Sequence, residues 1–200
     1  ARSVGYAERD EAERWCMLLH DIGKPSTFSF SDGKGHFYGH AKVSADMSAA
    51  VFARLKFPTA LKKEVAFLIE NHGYPLKNDE KFIKRTMFKF GDKAFFKILD
   101  VHEADNRAQG TTLSENERKL VEEVRKTAEK IVNSGECYSY SGLKINGSDL
   151  IAIGFKGEEV GSTLNKILID VIEGKTTDDR DILLKKVAKM YERKEARKRR

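Results

Sequence analysis

Two cysteines, three prolines and one tryptophan are few for a chain of 200 residues. Cys16 and Cys137 stand far apart in unlike contexts, which fits two lone thiols in a reducing cytosol rather than a disulfide-stapled fold. Cys16, inside an apolar segment, reads as a small packed hydrophobe. No apolar run approaches the roughly 20 residues of a membrane span, and no secretory signal pattern stands out. The expected compartment is therefore the cytoplasm, where the sequon Asn146-Gly147-Ser148 has no meaning. The glycine-bearing stretch Gly33, Gly35, Gly39 lacks the spacing and helix context of a dinucleotide fingerprint.

Charge, by contrast, is plentiful: 34% of residues are charged, with a net of +6. From Lys185 to Arg200 nine Lys and Arg face two Glu, so the rest of the chain is close to neutral. Such a run can neutralise backbone phosphates, and it equally suits a solvated helix end.

Almost every apolar pattern has helical period. Trp15, Leu18, Leu19 and Ile22 mark one stripe, stopped by Gly23 and Pro25. Val43, Met47, Val51 and Leu55 mark a second, over about 41–56. Leu61, Val65, Leu68 and His72 mark a third. Residues 80–90 read as a turn-rich amphipathic segment, and Ile98, Val101, His102 and Asp105 share one side of a helix over 94–108. Ser114 to Glu117 reads as a capping box ahead of Leu120, Val124, Ala128 and Ile131. A short helix near 148–153 is followed by one carrying Val160, Leu164, Ile167, Leu168, Val171 and Ile172. A last helix, capped by Thr177 or Asp178, carries Leu183, Val187 and Met190. Only Thr27 to Gly39, where Phe28 and Phe30 alternate with serine around a Gly-rich turn, reads as a small hairpin or ordered loop. The expected fold is all-α, with a helical bundle over 1–135, a boundary at Asn133-Ser134-Gly135, and a small helical domain over 136–200.

The chemistry is concentrated at helix ends. His20-Asp21 closes the first helix, His40 opens the next, His72 ends the third, and Asp105 lies on an apolar face where an unpaired carboxylate is costly. Imidazole nitrogens and carboxylate oxygens together suit a divalent transition metal, Mn, Ni, Co, Fe or Zn, rather than a soft-metal thiolate site. His102 and Asp105 lack the second histidine of a zinc-protease helix.

Leu19-His20-Asp21-Ile22-Gly23-Lys24-Pro25, His36-Phe37-Tyr38-Gly39-His40, Asn71-His72-Gly73 and Ala104-Asp105-Asn106-Arg107-Ala108-Gln109 resemble the HD-domain metal phosphohydrolases. The arrangement is most similar to the HD domain behind the catalytic head of bacterial tRNA nucleotidyltransferases, the CCA-adding enzymes. Ile145 to Ile151 and Gly154 to Gly161 resemble that family's tail. The resemblance implies an all-helical HD fold holding one or two ions on His20, Asp21, His40, His72 and Asp105. It also implies a further upstream histidine. None precedes His20 here, so the chain reads as a piece lacking that ligand and the nucleotidyltransferase head, without nucleotidyl transfer of its own.

The implied reaction is metal-assisted hydrolysis of a phosphomonoester or cyclic phosphodiester, with a phosphate-ester or nucleotide substrate. Asp21 would act at the ion, while Lys24 and Arg107 could hold the phosphate's charge; they also suit a capping lysine and a surface arginine. The tail implies tRNA as a partner. Two other functions remain open on these residues: a non-catalytic tRNA-binding body whose His/Asp cluster is structural, and a signalling module with a small ligand.

Overall fold

The computed structural model describes residues 2–7, 10–110 and 112–198, with the backbone alone for 112–114 and 198. Among these residues eleven helices and one two-stranded hairpin are found, an all-α fold. None of the described helices is long and apolar enough to cross a membrane. The chain divides into two compact units: Ala1–Asn78 with Asp92–Arg125, and Asp79–Gly91 with Lys126–Arg200.

In the first unit α1 (Arg2–Tyr6) and α2 (Glu11–Leu19) precede a short α3 (Lys24–Thr27). Asp10 caps α2 by accepting a hydrogen bond from the Glu13 amide at 3.1 Å, and it also pairs with Lys97 at 2.7 Å. The buried side of α2 is Ala12, Glu13, Cys16 and Met17, continued by His20. The expected stripe of Trp15, Leu18, Leu19 and Ile22 is thus displaced by two residues, to Glu13, Cys16, Met17 and His20, and Leu18 is 50% exposed. Trp15, the largest apolar group of the segment, biases the pattern toward that stripe; it packs edge-on against Phe52 and Phe57 at the rim.

The hairpin pairs β1 (Ser29–Ser31) with β2 (Lys34–His36). Then comes α4 (His40–Arg54), whose buried face is Ser44, Ala45, Ser48 and Phe52, not the larger Val43, Met47, Val51 and Leu55 expected from sequence. The reason is close approach. The Gly23 amide donates to Ser44 Oγ at 2.9 Å, and a Cβ on Gly23 would sit 2.8 Å from the His40 carbonyl oxygen. α5 (Thr59–Asn71) packs on α2 and α4 through Val65, Leu68 and Ile69. The fold of this unit is completed by α7 (Asp92–Gln109), with Phe95, Ile98, Leu99 and Val101 buried, and by the first half of α8 (Thr112–Ser134). The capping role expected of Ser114 falls on a side chain outside the described residues; the helix starts at Thr112.

The second unit gathers α6 (Glu80–Phe90), the rest of α8, α9 (Gly147–Ile153), α10 (Glu158–Ile172) and α11 (Arg180–Lys198). The segment expected to be turn-rich is therefore a regular helix, capped by Asp79, and it packs on α10, far along the chain. A full capping box of Asn146 and Asp149 starts α9. Leu150, Phe155, Ile167, Leu168, Leu183 and Val187 form the core of this unit. At the head of α11 Asp179, not Thr177 or Asp178, accepts from the Ile182 amide; Asp178 instead accepts from the Lys144 amide.

Candidate metal centre

His20 and His72 are the C-cap residues of α2 and α5, and His40 is the first residue of α4. Each accordingly has a backbone carbonyl three residues earlier within reach of its own ring. His20 Nδ1 lies 3.1 Å from the Met17 carbonyl, His40 Nδ1 2.8 Å from that of Phe37, and His72 Nδ1 2.7 Å from that of Ile69. A carbonyl only accepts, so each Nδ1 carries a proton and donates it, and each neutral ring presents Nε2 as a bare acceptor. This is the arrangement that orients metal-binding histidines.

The three Nε2 atoms and two carboxylates converge. His40 and His72 Nε2 are 3.2 Å apart. His20 Nε2 lies 3.3 Å from Asp21 Oδ2 and 3.5 Å from Asp105 Oδ1, and His40 Nε2 lies 3.6 Å from Asp21 Oδ1. Asp21 Oδ1 is buried with no hydrogen-bond partner among the described residues. Ligating atoms of His20, Asp21 and His72 all fall within 4.8 Å of one another. Nitrogen and oxygen ligands sit about 2.0–2.2 Å from a transition ion, so neighbours in one coordination shell lie about 2.8–3.6 Å apart. The 3.2–3.6 Å spacings between neighbouring Nε2 and carboxylate atoms fall in that range, and the cluster holds more acceptors than donors.

Without an ion the cluster answers this surplus with protons. Burial alone would push His20 down, yet its contacts with Asp105 and Asp21 raise it from 6.5 to about 9. Burial likewise opposes ionisation of Asp21, but His20 and Lys24 hold its carboxyl well below the usual range. His20 is also the main cause that lowers Asp105, and burial lowers His72.

A cavity of about 450 Å³ opens onto this cluster, with Asp21, Lys24, His40, His72 and Asp105 in its wall. All five expected ligands are thus brought together. Lys24 Nζ pairs with Asp21 Oδ2 at 2.7 Å on the same wall. Arg107 is not brought to this cluster: it pairs with Glu103 at 2.5 Å and lines a different depression with Arg118 and Arg125. Two residues on a helix turn a side chain by about 200°, which carries Arg107 away from Asp105.

Among the further residues lining the cavity are three polar side chains of α7 that were not expected to be ligands: His102, Asn106 and Gln109. Gln109 Nε2 donates to Asp105 Oδ2 at 2.9 Å. His102 Nε2 is buried without a hydrogen-bond partner among the described residues, and burial, then His72, lowers its pKa to about 4. The spacing 102, 105, 109 on one helix face is the signal in the sequence that points to them.

Fold and site define a helical protein with an acceptor-rich His/Asp cluster able to hold a divalent cation. A family profile described as tRNA nucleotidyltransferase domain 2, putative, matches residues 37–187. The chain belongs to that family. It is 39% identical over 78 residues to the A-adding tRNA nucleotidyltransferase of Deinococcus radiodurans, covering 38% of this chain and 18% of that protein. Identity to the CC-adding tRNA nucleotidyltransferase of Thermus thermophilus is 35% over 81 residues, covering 40% and 19%. With the Multifunctional CCA protein of Aromatoleum aromaticum it is 42% over 62 residues, covering 31% and 15%. The chain thus matches less than a fifth of the length of each of these relatives. No solved structure shows a significant match.

Proposed function

We propose that the first unit is a metal-dependent phosphohydrolase of the HD type and that the second contacts tRNA through α11, the whole being a segment of a tRNA nucleotidyltransferase-like protein. What carries the reading is the convergence of three Nε2 acceptors and the partnerless Asp21 Oδ1, with Asp21, His40 and His72 in the wall of one cavity. His20, Asp21, His40, His72 and Asp105 would hold the ion. A bound divalent ion supplies Lewis acidity, making water acidic enough to deprotonate near neutral pH and offsetting phosphate charge.

The chain's own residues do the rest. Carbonyls of Met17, Phe37 and Ile69 fix the three imidazoles, and Gln109 holds Asp105. Lys24, in the cavity wall, presents its ammonium to a phosphoryl oxygen. His102, a residue of the cavity lining with its Nε2 buried, stays neutral at physiological pH and adds no charge beside the ion. The substrate is a phosphomonoester or a cyclic phosphodiester, with a nucleotide as the natural class beside a tRNA partner. Purified protein loaded with Mn, Ni or Co and assayed on both ester classes tests this. Turnover that stops in the Asp21→Asn variant is expected; bindable metal with no hydrolysis by any of the three ions overturns the catalytic part.

A second reading, a tRNA-holding body with a structural His/Asp cluster, is favoured by one observation. Lys185, Lys189, Arg193 and Arg197 are exposed and recur at every fourth position of α11, while Lys186 and Lys194 are taken up by Asp170 and Glu159. That row suits a phosphate backbone whether or not the first unit is catalytic. Arg199 and Arg200, and the side chain of Lys198, belong to the same basic run but lie outside the described residues.

A further inference from the structure

The hairpin between α3 and α4 carries an aromatic surface that the site does not use. Phe30 is 70% exposed, Phe28 56% and Tyr38 76%, although a two-stranded hairpin of three residues per strand gains nothing from apolar groups left in water. The register pairs Phe30 with Gly35 and Ser29 with His36. Phe28 and Phe30, two residues apart, therefore share one face with Gly35, while His36 and Lys34 share the other. Gly35 has a steric role here: a Cβ there would stand 2.8 Å from the Phe28 ring, which lies against the strand. Phe28 leans on Phe37 with ring centroids 5.5 Å apart. On the other side the His36 and Tyr38 rings are stacked at 5.0 Å and only 9° from parallel.

Of the three lysines between Lys24 and Lys42, Lys24 is held by Asp21 and Lys42 by Asp46 and Glu70, which leaves Lys34 as the lysine of this stretch without a carboxylate partner among the described residues. Lys24 lies 5.7 Å from the Phe37 ring centroid while pairing with Asp21, so it links the aromatic surface to the His/Asp cluster. Lys34 is exposed at the hairpin tip and makes no ion pair among the described residues. A depression of about 440 Å³ runs from Phe37 and Tyr38 to His40 and His72, which are also walls of the larger cavity.

We propose that this hairpin binds single-stranded RNA by stacking, with one unpaired base on Phe30 of one face, another on Tyr38 of the opposite face, and the backbone phosphate passing between them beside Lys34 at the tip. Flat, exposed rings interleaved with cations are what unpaired bases and their phosphates recognise. A second copy of the chain or a protein segment would use apolar area without needing a flat ring stack and an unpaired lysine. The inference extends the RNA contact of the proposed function, but it does not depend on hydrolysis or on the α11 row.

Fluorescence anisotropy of a short fluorescein-labelled single-stranded RNA, in EDTA, tests it. Phe30→Ala and Tyr38→Ala should each weaken binding by about 5- to 150-fold, the loss seen when one base-stacking ring is removed. The slope of log K against log salt should stay unchanged, since no charge is removed, whereas Lys34→Gln should lower it. Phe30→Tyr and Tyr38→Phe should bind like the parent. Both rings are solvent-exposed, and thermal melting coincident with the parent checks that each variant is folded. An unchanged affinity in the double alanine variant would overturn the proposal. So would equal losses for the single strand and its duplex, or a concentration-dependent dimer that the double variant abolishes with RNA affinity intact. Failure of hydrolysis, or of the α11 substitutions to act, would leave these results as they are.

Discussion

The Nε2 atoms of His40 and His72 face one another at 3.2 Å while both Nδ1 atoms donate to backbone carbonyls. Two lone pairs at that separation repel unless a proton or a cation lies between them. Replacing His72 with alanine removes one acceptor and should weaken binding of Mn or Ni by at least about tenfold, the scale on which even outer-shell groups act at metal sites. Titration calorimetry on parent and variant measures it, with far-UV circular dichroism as the control for folding. Equal affinities would mean that His72 is not a ligand.

His20 sets the pH response of the metal-free protein. Its pKa is about 9 in the fold against 6.5 ordinarily, because Asp105 and Asp21 outweigh the burial that opposes its charge. A base raised on folding stabilises fully below pH 6.5, and the benefit disappears as pH climbs through about 9. In EDTA the melting temperature should therefore fall across that window, and His20→Gln should flatten the fall. An equal slope in parent and variant would remove His20 as the cause.

Gly23 is where α4 meets the His20–Asp21 turn. An alanine methyl would stand 2.8 Å from the His40 carbonyl oxygen and from the Ser44 amide nitrogen, both backbone atoms that cannot swing aside. Gly23→Ala should cost about 1–3 kcal/mol, as overpacking does, and should loosen His40 from the cluster. Chemical denaturation gives the first quantity and metal titration the second. A variant as stable as the parent would show that α4 can retreat without penalty.

The ligand types are legible in the chain because His and Asp at helix ends, on otherwise apolar faces, are costly without a partner. What positions them is not. The buried faces of α2 and α4 run through Cys16, Ser44 and Ser48, small or polar residues that periodicity undervalues, since close helix approach selects for size and not hydrophobicity. His102 has no second histidine nearby in sequence to mark it, and its place in the cavity wall is set by the packing of α7. Arg107 is close to Asp105 in sequence, which at two residues' separation on a helix means the opposite side. The partner of α6 is likewise hidden: the period of Ile83 and Met87 shows that a face is buried, never against what.

The row on α11 predicts how tRNA binding responds to salt. Lys185, Lys189, Arg193 and Arg197 follow one another about 6 Å apart along the helix, all exposed. Truncation is the wrong probe, because Val187 lies in the core of the second unit and its loss would unfold what it tests. Changing the four cations to glutamine keeps Leu183 and Val187 packed and removes only charge. Each phosphate contact contributes a slope of about 0.7–0.9 in log K against log salt, so the quadruple variant should lose up to about 3.6 in slope. Filter binding of tRNA over a salt series measures this. A slope equal to the parent's would place the tRNA contact elsewhere and leave the basic helix as a solvated surface.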